Sequence, residues 1–264
     1  MTSFRNRYRA FLSHFIVSIL IAGAILLIAK FIWYPSELMV ASGAIKIFLL
    51  VILVDAGLGP LLTLIVYNPN KSQKELRTDL SLIILLQLCA LVYGSYTLFG
   101  GRPVYYVFAV DRFELVQAND IPEAFLRDEG AGKYGDLPKT GLQWVYSKLP
   151  EDVNERNDVL FNQMEYGADL AQTPKYYQPL EQGAQAIRER LRSLGDLLQS
   201  NTEERVDNAI QSLSLLNASD LSSVNSDYGY LPLSAKKKDL TIILSKSSLD
   251  VVGVVDLYPW REGE

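Results

Sequence analysis

Residues 45–67 form an apolar run, IKIFLLVILVDAGLGPLLTLIVY, with an acid, Asp55, close to its centre. About 20 apolar residues in helical form span a hydrocarbon core. At that depth an ionisable side chain costs about 2.5–3.5 kcal/mol on insertion scales, so an acid there is expected to have a partner or a task. Gly57, Gly59 and Pro60 follow within five residues. They loosen the helix where its backbone must bend or be approached closely. Two further apolar runs, 11–33 and 80–99, complete a set of three. The fold class expected is a membrane protein: a three-span transmembrane module over residues 1–99, then an α+β extracytoplasmic domain over 100–264.

The charges divide at the same place. Residues 1–99 hold eight lysines and arginines against four acids, a net +4, which leaves −9 for residues 100–264 within the total of −5. A basic apolar half and an acidic polar half read as membrane module and soluble domain. Arg5, Arg7 and Arg9 precede the first run, and Lys71, Lys74 and Arg77 lie in the linker between the second and third; the loop YPSELMVASGA carries no base. The positive-inside rule then sets the N-terminus and the 68–79 loop in the cytoplasm and residues 100–264 on the opposite side, the periplasm of a Gram-negative inner membrane. The first run also has the basic start of a signal peptide. Its length and the lack of a small-x-small cleavage site directly after it favour a retained anchor.

In the soluble half, 104–110 and 113–118 are β-rich around Asp111-Arg112, as a hairpin or as one bulged strand. Residues 121–128 read as a short helix capped by Asp120, and GAGKYGDLPKTG as a loop. A helix is expected over 151–166. Leu180, Ala184, Ile187, Leu191, Leu194 and Leu198 recur at threes and fours, which predicts a long amphipathic helix over 180–199. A further helix is expected over 203–216, then strands over 228–233, 240–244 and 251–258. Strands at both ends of an α+β domain can share one sheet.

The chain has one histidine, His14, and one cysteine, Cys89. The outer half therefore holds no Ser-His-Asp or Cys-His site and no histidine metal site. SAKK at 234–237 and KTG at 139–141 stand in the reverse of the order that penicillin-recognising enzymes need. GLGP and GAGKYG match no phosphate- or dinucleotide-binding loop. The lysines at 236–238 are a local run in an acidic domain and do not point to nucleic acid. No catalytic group, cofactor or metal is expected. For Asp55 three readings stand: a neutral carboxyl serving helix association, a recognition point for another membrane helix, and a proton or ion pathway, the last lacking a chain of further ionisable groups. Depth places Gln87, or a tyrosine near it, opposite Asp55.

The run VDAGLGPLLTLIVYNPNK, followed by DLSLIILLQLCALVYGSYTLFGGRPVYYVFAVDRFELVQANDI, resembles the type IV pilin accessory proteins of the TfpX/TfpZ family. The likeness covers about residues 5–121, with weaker echoes in PKYYQPL, YGYLPL and LYPW. Its signature residues are Asp55, Gly57, Gly59 and Pro60, with Arg102, Pro103, Asp111, Arg112 and Phe113 in the outer segment. The resemblance implies a non-enzymatic inner-membrane factor of pilus biogenesis that shifts the balance of pilus extension and retraction. Its partners would be the major pilin or inner-membrane assembly proteins, within the lipid bilayer. Pilins of such systems carry a glutamate in their apolar helix, so contact with Asp55 would require a shared proton or a third group. The alternatives are a membrane-bound enzyme that modifies pilin and an extracytoplasmic ligand sensor.

Overall fold

The computed structural model describes residues 2–68, 70–213 and 226–261. The chain forms two compact units, one of residues 1–35 and 43–100, the other of 36–42 and 101–264.

The first unit is helical. α1 (Thr2–Ile28) runs into a π-helical turn, Ala29–Trp33. The short α2 (Leu38–Ala41) belongs to the other unit. α3 (Ala44–Ile52), a π-helical turn at Leu53–Leu58 and α4 (Gly59–Val66) make one continuous rod, and α5 (Gln73–Gly100) is the third. Three stretches, Phe4–Trp33, Ala44–Val66 and Gln73–Gly100, are long and apolar enough to cross a membrane. Leu20, Ile65 and Leu86 are among many large apolar side chains facing outward, as suits a lipid-covered surface. Tyr34 Oη donates to the Leu98 carbonyl at 2.7 Å, and the Trp33 and Phe99 rings meet edge to face, so the ends of α1 and α5 lie at one level. A Cβ on Gly94 would fall 2.2 Å from Val51 Cγ2, so the close approach of α3 and α5 depends on that glycine.

The second unit is built on one mixed sheet of eight described strands. They are β1 (Pro103–Ala109), β2 (Arg112–Gln117), β3 (Gln143–Ser147), β4 (Tyr177–Pro179), β5 (Arg192–Ser193), β6 (Tyr228–Ser234), β7 (Leu240–Ser245) and β8 (Val251–Val255). The order is β4-β3-β1-β2-β6-β7-β8, with β5 paired to β6. The strands from both ends of the domain thus share a sheet, joined by parallel pairing of β2 with β6. β1 and β2 form a hairpin: Ala109 pairs with Arg112 across Val110 and Asp111. Val110 turns the chain at φ 58°, and Asp111 N–H donates to the Ala109 carbonyl at 2.7 Å. That is a γ-turn centred on a β-branched residue, a strained arrangement no turn signal in the sequence announces.

Alternation along the strands covers both faces. Tyr106, Phe108, Phe113, Leu115, Leu231 and Leu233 pack on one face, with Ile187, Leu38 and Ala41 against them. Leu38 and Ala41 come from the loop between the first two membrane-length helices, and the Lys237 N–H donates to the Ala41 carbonyl at 2.9 Å. The loop is thereby part of the second unit's core. The opposite face carries two cores, one around Tyr105, Val107, Val145 and Tyr177, the other around Leu194, Leu197, Tyr230 and Ile243.

Several expected elements are corrected. Residues 180–199 are not one helix: a 3₁₀ turn leads into α8 (Ala184–Arg190), Leu191 is extended at ψ 129°, β5 follows, and 194–199 is again 3₁₀. The apolar spacing was real but served two cores, Ile187 entering one face of the sheet and Leu194 and Leu197 the other. The helix near 121–128 is only α6 (Glu123–Leu126), capped by Pro122. Asp120 instead closes a capping box with Gln117 around the preceding 3₁₀ turn. Residues 129–135, expected as loop, form 3₁₀ turns. α7 (Val153–Tyr166) matches expectation, with the Asp152 carboxylate accepting from Asn154 N–H and Glu155 N–H. α9 (Glu203–Ser212) is the start of the helix expected to reach 216, and 214–216 lie outside the described residues.

Glu114 alternates with Phe113 and Leu115 and so faces the side of the two cores, where it lines a polar cavity of about 420 Å³ with Asp120, Gln172 and Lys236. Burial, with the nearby Asp169 carboxylate, pushes the Glu114 carboxyl up to about 7, while a hydrogen bond from Gln172 and the charge of Arg112 pull it back. A carboxyl raised in the folded state holds its proton while the unfolded chain has lost it, so stability falls as pH rises from about 4.5 through 7. Glu114→Gln is therefore expected to unfold at a higher temperature than the parent at pH 8, with the margin closing near pH 5, as read by thermal melts at both pH values.

Candidate interaction site in the helical unit

Asp55 sits in the π-helical turn of the second rod, and the reason for that turn lies in Pro60. Proline offers no N–H and its ring crowds the carbonyl four residues back. The Gly59 N–H reaches the Val54 carbonyl, five residues earlier, rather than that of Asp55. In a π pattern the Asp55 carbonyl would next take the N–H of residue 60, which is proline. That acceptor is left over, and a buried carbonyl without a donor is costly. Gln87 of α5 supplies the donor: its Nε2 lies 2.9 Å from the Asp55 main-chain oxygen. Gly59 makes room for it, since a Cβ there would stand 2.0 Å from Gln87 Nε2. Pro60 removes a donor, Gln87 replaces it, and Gly59 admits the replacement.

Gln87 thus lies at the level the sequence indicated but bonds the backbone of Asp55 rather than its carboxylate. The Asp55 side chain is 5% exposed, and neither carboxylate oxygen has a hydrogen-bond partner among the described residues. It lines a cavity of about 430 Å³ whose walls are α1, α4 and α5. Apolar side chains dominate those walls; the polar groups are Ser13, His14, Ser18, Thr63 and Gln87 besides Asp55 itself. Thr63 Oγ1 donates to the Gly59 carbonyl at 3.1 Å, and His14 Nδ1 lies 2.6 Å from the same hydroxyl. With the hydroxyl proton spent on Gly59, the network assigns the donor role to His14 Nδ1–H.

His14, Ser18 and Thr63 were not singled out from sequence. A signal existed: Ala10, His14, Ser18 and Ala22 recur every fourth residue along an otherwise bulky apolar helix, the small and polar stripe by which membrane helices meet. Gly57 stands apart from the packing, its nearest would-be contact being Leu53 Cδ1 at 3.6 Å.

The outer signature residues hold the second unit together and form no common site. Arg102 is buried and donates through Nε to the Pro138 carbonyl at 3.0 Å, Pro103 opens β1, and Phe113 is fully buried. At the far end of β1, Asp111 pairs with Arg112 at 3.0 Å, and the Arg112 guanidinium lies over the Trp260 ring.

Three membrane-length helices around a buried acid, joined to a mixed-sheet unit, point to a membrane-associated protein with a cavity among its long helices. No family model and no solved structure matches the chain. Among known proteins it is 31% identical to the fimbrial assembly protein of serogroup I from Dichelobacter nodosus over 198 residues, 74% of this chain and 75% of that one. It is 31% identical to the serogroup E1 protein of the same organism over 75% of this chain and 77% of that one. With the fimbrial assembly protein of serogroups C1 and C2 the identity is 40% over 108 residues, 41% of this chain and 82% of that one. The chain belongs to this fimbrial assembly family, in keeping with its resemblance to the type IV pilin accessory proteins.

Gly59→Ala is expected to expel Gln87 from the Asp55 carbonyl and cost about 1–3 kcal/mol, the penalty of an unsatisfied buried acceptor. Gly57→Ala should cost less than about 1 kcal/mol, since its methyl meets only ordinary contact. Gln87→Leu should match Gly59→Ala, and the double variant should be no worse than either, because both remove one bond. Thermal unfolding of the four proteins in detergent micelles measures this.

Proposed function

We propose that this protein is a non-enzymatic accessory factor of type IV pilus biogenesis, and that the cavity around Asp55 receives an apolar helix of the major pilin or of an inner-membrane assembly protein. In this reading it is an inner-membrane protein with its N-terminus cytoplasmic and its mixed-sheet unit periplasmic, following the basic residues of 5–9 and 71–77. Engagement of the helix biases the balance between pilus extension and retraction. The single observation that carries the proposal is the Asp55 carboxylate, buried without a partner in the wall of a cavity among apolar helices. Support for the pilus as its setting comes from the relatives named as fimbrial assembly proteins.

If the incoming helix carries a glutamate, two acids meet in a medium of low dielectric, and one must hold a proton. His14 on the same cavity wall is a polar group that such a contact could engage as its third member. Nothing comparable crosses the rest of the unit, which favours recognition over proton conduction.

A second reading, a pilin-modifying enzyme, has one foothold: Glu114 in its polar cavity, with a carboxyl near neutrality as a general acid would need. Pilin mass separates the two. A deletion strain is expected to make pilin of unchanged mass and fewer surface pili, whereas an altered mass favours the enzyme.

Asp55→Asn keeps the shape of the side chain and removes its charge and proton. The variant is expected to insert and fold as the parent does while changing the amount of surface pilin several-fold, read by immunoblot of sheared pili against total pilin. Parental piliation at equal protein level would overturn the assignment of Asp55.

A further inference from the structure

α7 presents its apolar residues in the wrong direction for a helix that only packs on its own domain. Of its fourteen residues Val159 alone is buried, while Leu160, Phe161 and Met164 are 60%, 64% and 84% exposed. Val153, Leu160 and Met164 fall on one side at spacings of seven and four, and Phe161 borders them, a continuous stripe turned to solvent. Scattered exposed apolar residues are ordinary, but a helix whose outer face is more apolar than its inner one is a surface waiting to be covered.

Beside the stripe lies a groove of about 370 Å³ in which Phe125, Phe161 and Tyr176 alternate with Asp128, Asp158 and Glu165. The base on its wall, Lys175, pairs with Glu155 at 3.2 Å and lies over the Tyr176 ring, which leaves Phe125 and Phe161 as the open aromatic faces. Aromatic faces and carboxylates together suit a lysine or arginine side chain, its stem on the rings and its charge on the acids. At the start of the helix Glu151 is paired with Lys148 at 2.7 Å and Asp152 caps the first turn, so the unpaired acidity is that of the groove itself.

We infer that the exposed face of α7 and this groove form a docking surface for a protein segment in which lysine or arginine is flanked by large apolar residues. Charge decides against the other coverings. An anionic bilayer surface is repelled by the acids of the groove. A second copy of this chain would set the same acids against each other. The surface is separate from the cavity around Asp55 and stands whether or not that cavity takes a helix.

A benzophenone-bearing amino acid introduced in place of Met164 in the full-length protein, in cells, tests this directly. The same probe in place of the exposed Glu189 on α8 is the control. The expected result is one protein adduct specific to the Met164 probe, mapping by mass spectrometry to a basic, apolar segment. Asp158→Lys with Glu165→Lys should reduce it at least about ten-fold, and Asp55→Asn should leave it in place. The side chains altered at 158, 164, 165 and 189 are exposed, Asp55 alone being buried, and an unchanged melting temperature of each variant shows that the fold is kept. Adducts to lipid, to a second copy, or to a segment without a basic residue overturn the inference. So does the absence of an adduct, or an adduct indifferent to the charge reversal.

Discussion

A proline amide without a hydrogen shapes the helical unit. Because Pro60 cannot donate, the second rod widens into a π-helical turn and the Asp55 carbonyl needs a donor from another helix. The answer comes from Gln87, through a gap that Gly59 keeps open, and α5 is thereby held against the rod at one depth. The bond satisfies the backbone of Asp55 and leaves its carboxylate free to face the cavity. A regular α-helix would satisfy the same carbonyl internally and would not call on Gln87. Widened turns of this kind concentrate at functional positions because they re-aim side chains without breaking the rod.

The mixed-sheet unit depends on a different economy, that of faces. Alternation along β1 and β2 sends Phe108, Phe113 and Leu115 to one side and Tyr105, Val107 and Val116 to the other, so both faces of the sheet need cover. One face takes α8 and, less expectedly, Leu38 and Ala41 of the loop between the first two long helices. That loop has no lysine or arginine and little polarity. Its composition suits a core segment as well as a membrane-proximal turn.

What the residues disclosed, and what they concealed, follows from the range of the interactions involved. Long apolar runs, the β-rich segments at both ends of the second unit and the acidic start of α7 depend on neighbours in sequence, and all were legible. The stretch 180–199 was not, because its spacing of threes and fours was divided between two cores on opposite faces of a sheet, with Leu191 extended between them. The level of Gln87 could be read from depth alone. Its bond to a backbone oxygen could not, since that needs the π-helical turn, which no local pattern announces. His14 was visible as a lone histidine, but its meaning required Thr63, 49 residues away.

The two units depart from ordinary burial in opposite senses. The apolar unit buries a carboxylate and gives it no partner. The acidic unit exposes leucine, phenylalanine and methionine on a helix that buries a single valine. Each arrangement costs stability in the isolated chain, where a neutral residue at Asp55 or polar residues along α7 would be cheaper. Among the described residues no side chain hydrogen-bonds the carboxylate, and Val159 is the one buried residue of α7. In the proposed reading a second protein would supply what is missing, a donor in one place and an apolar, basic segment in the other. The proposed reading, a protein that holds a partner rather than acting on a substrate, rests on these two incomplete surfaces, of opposite chemistry and in separate units.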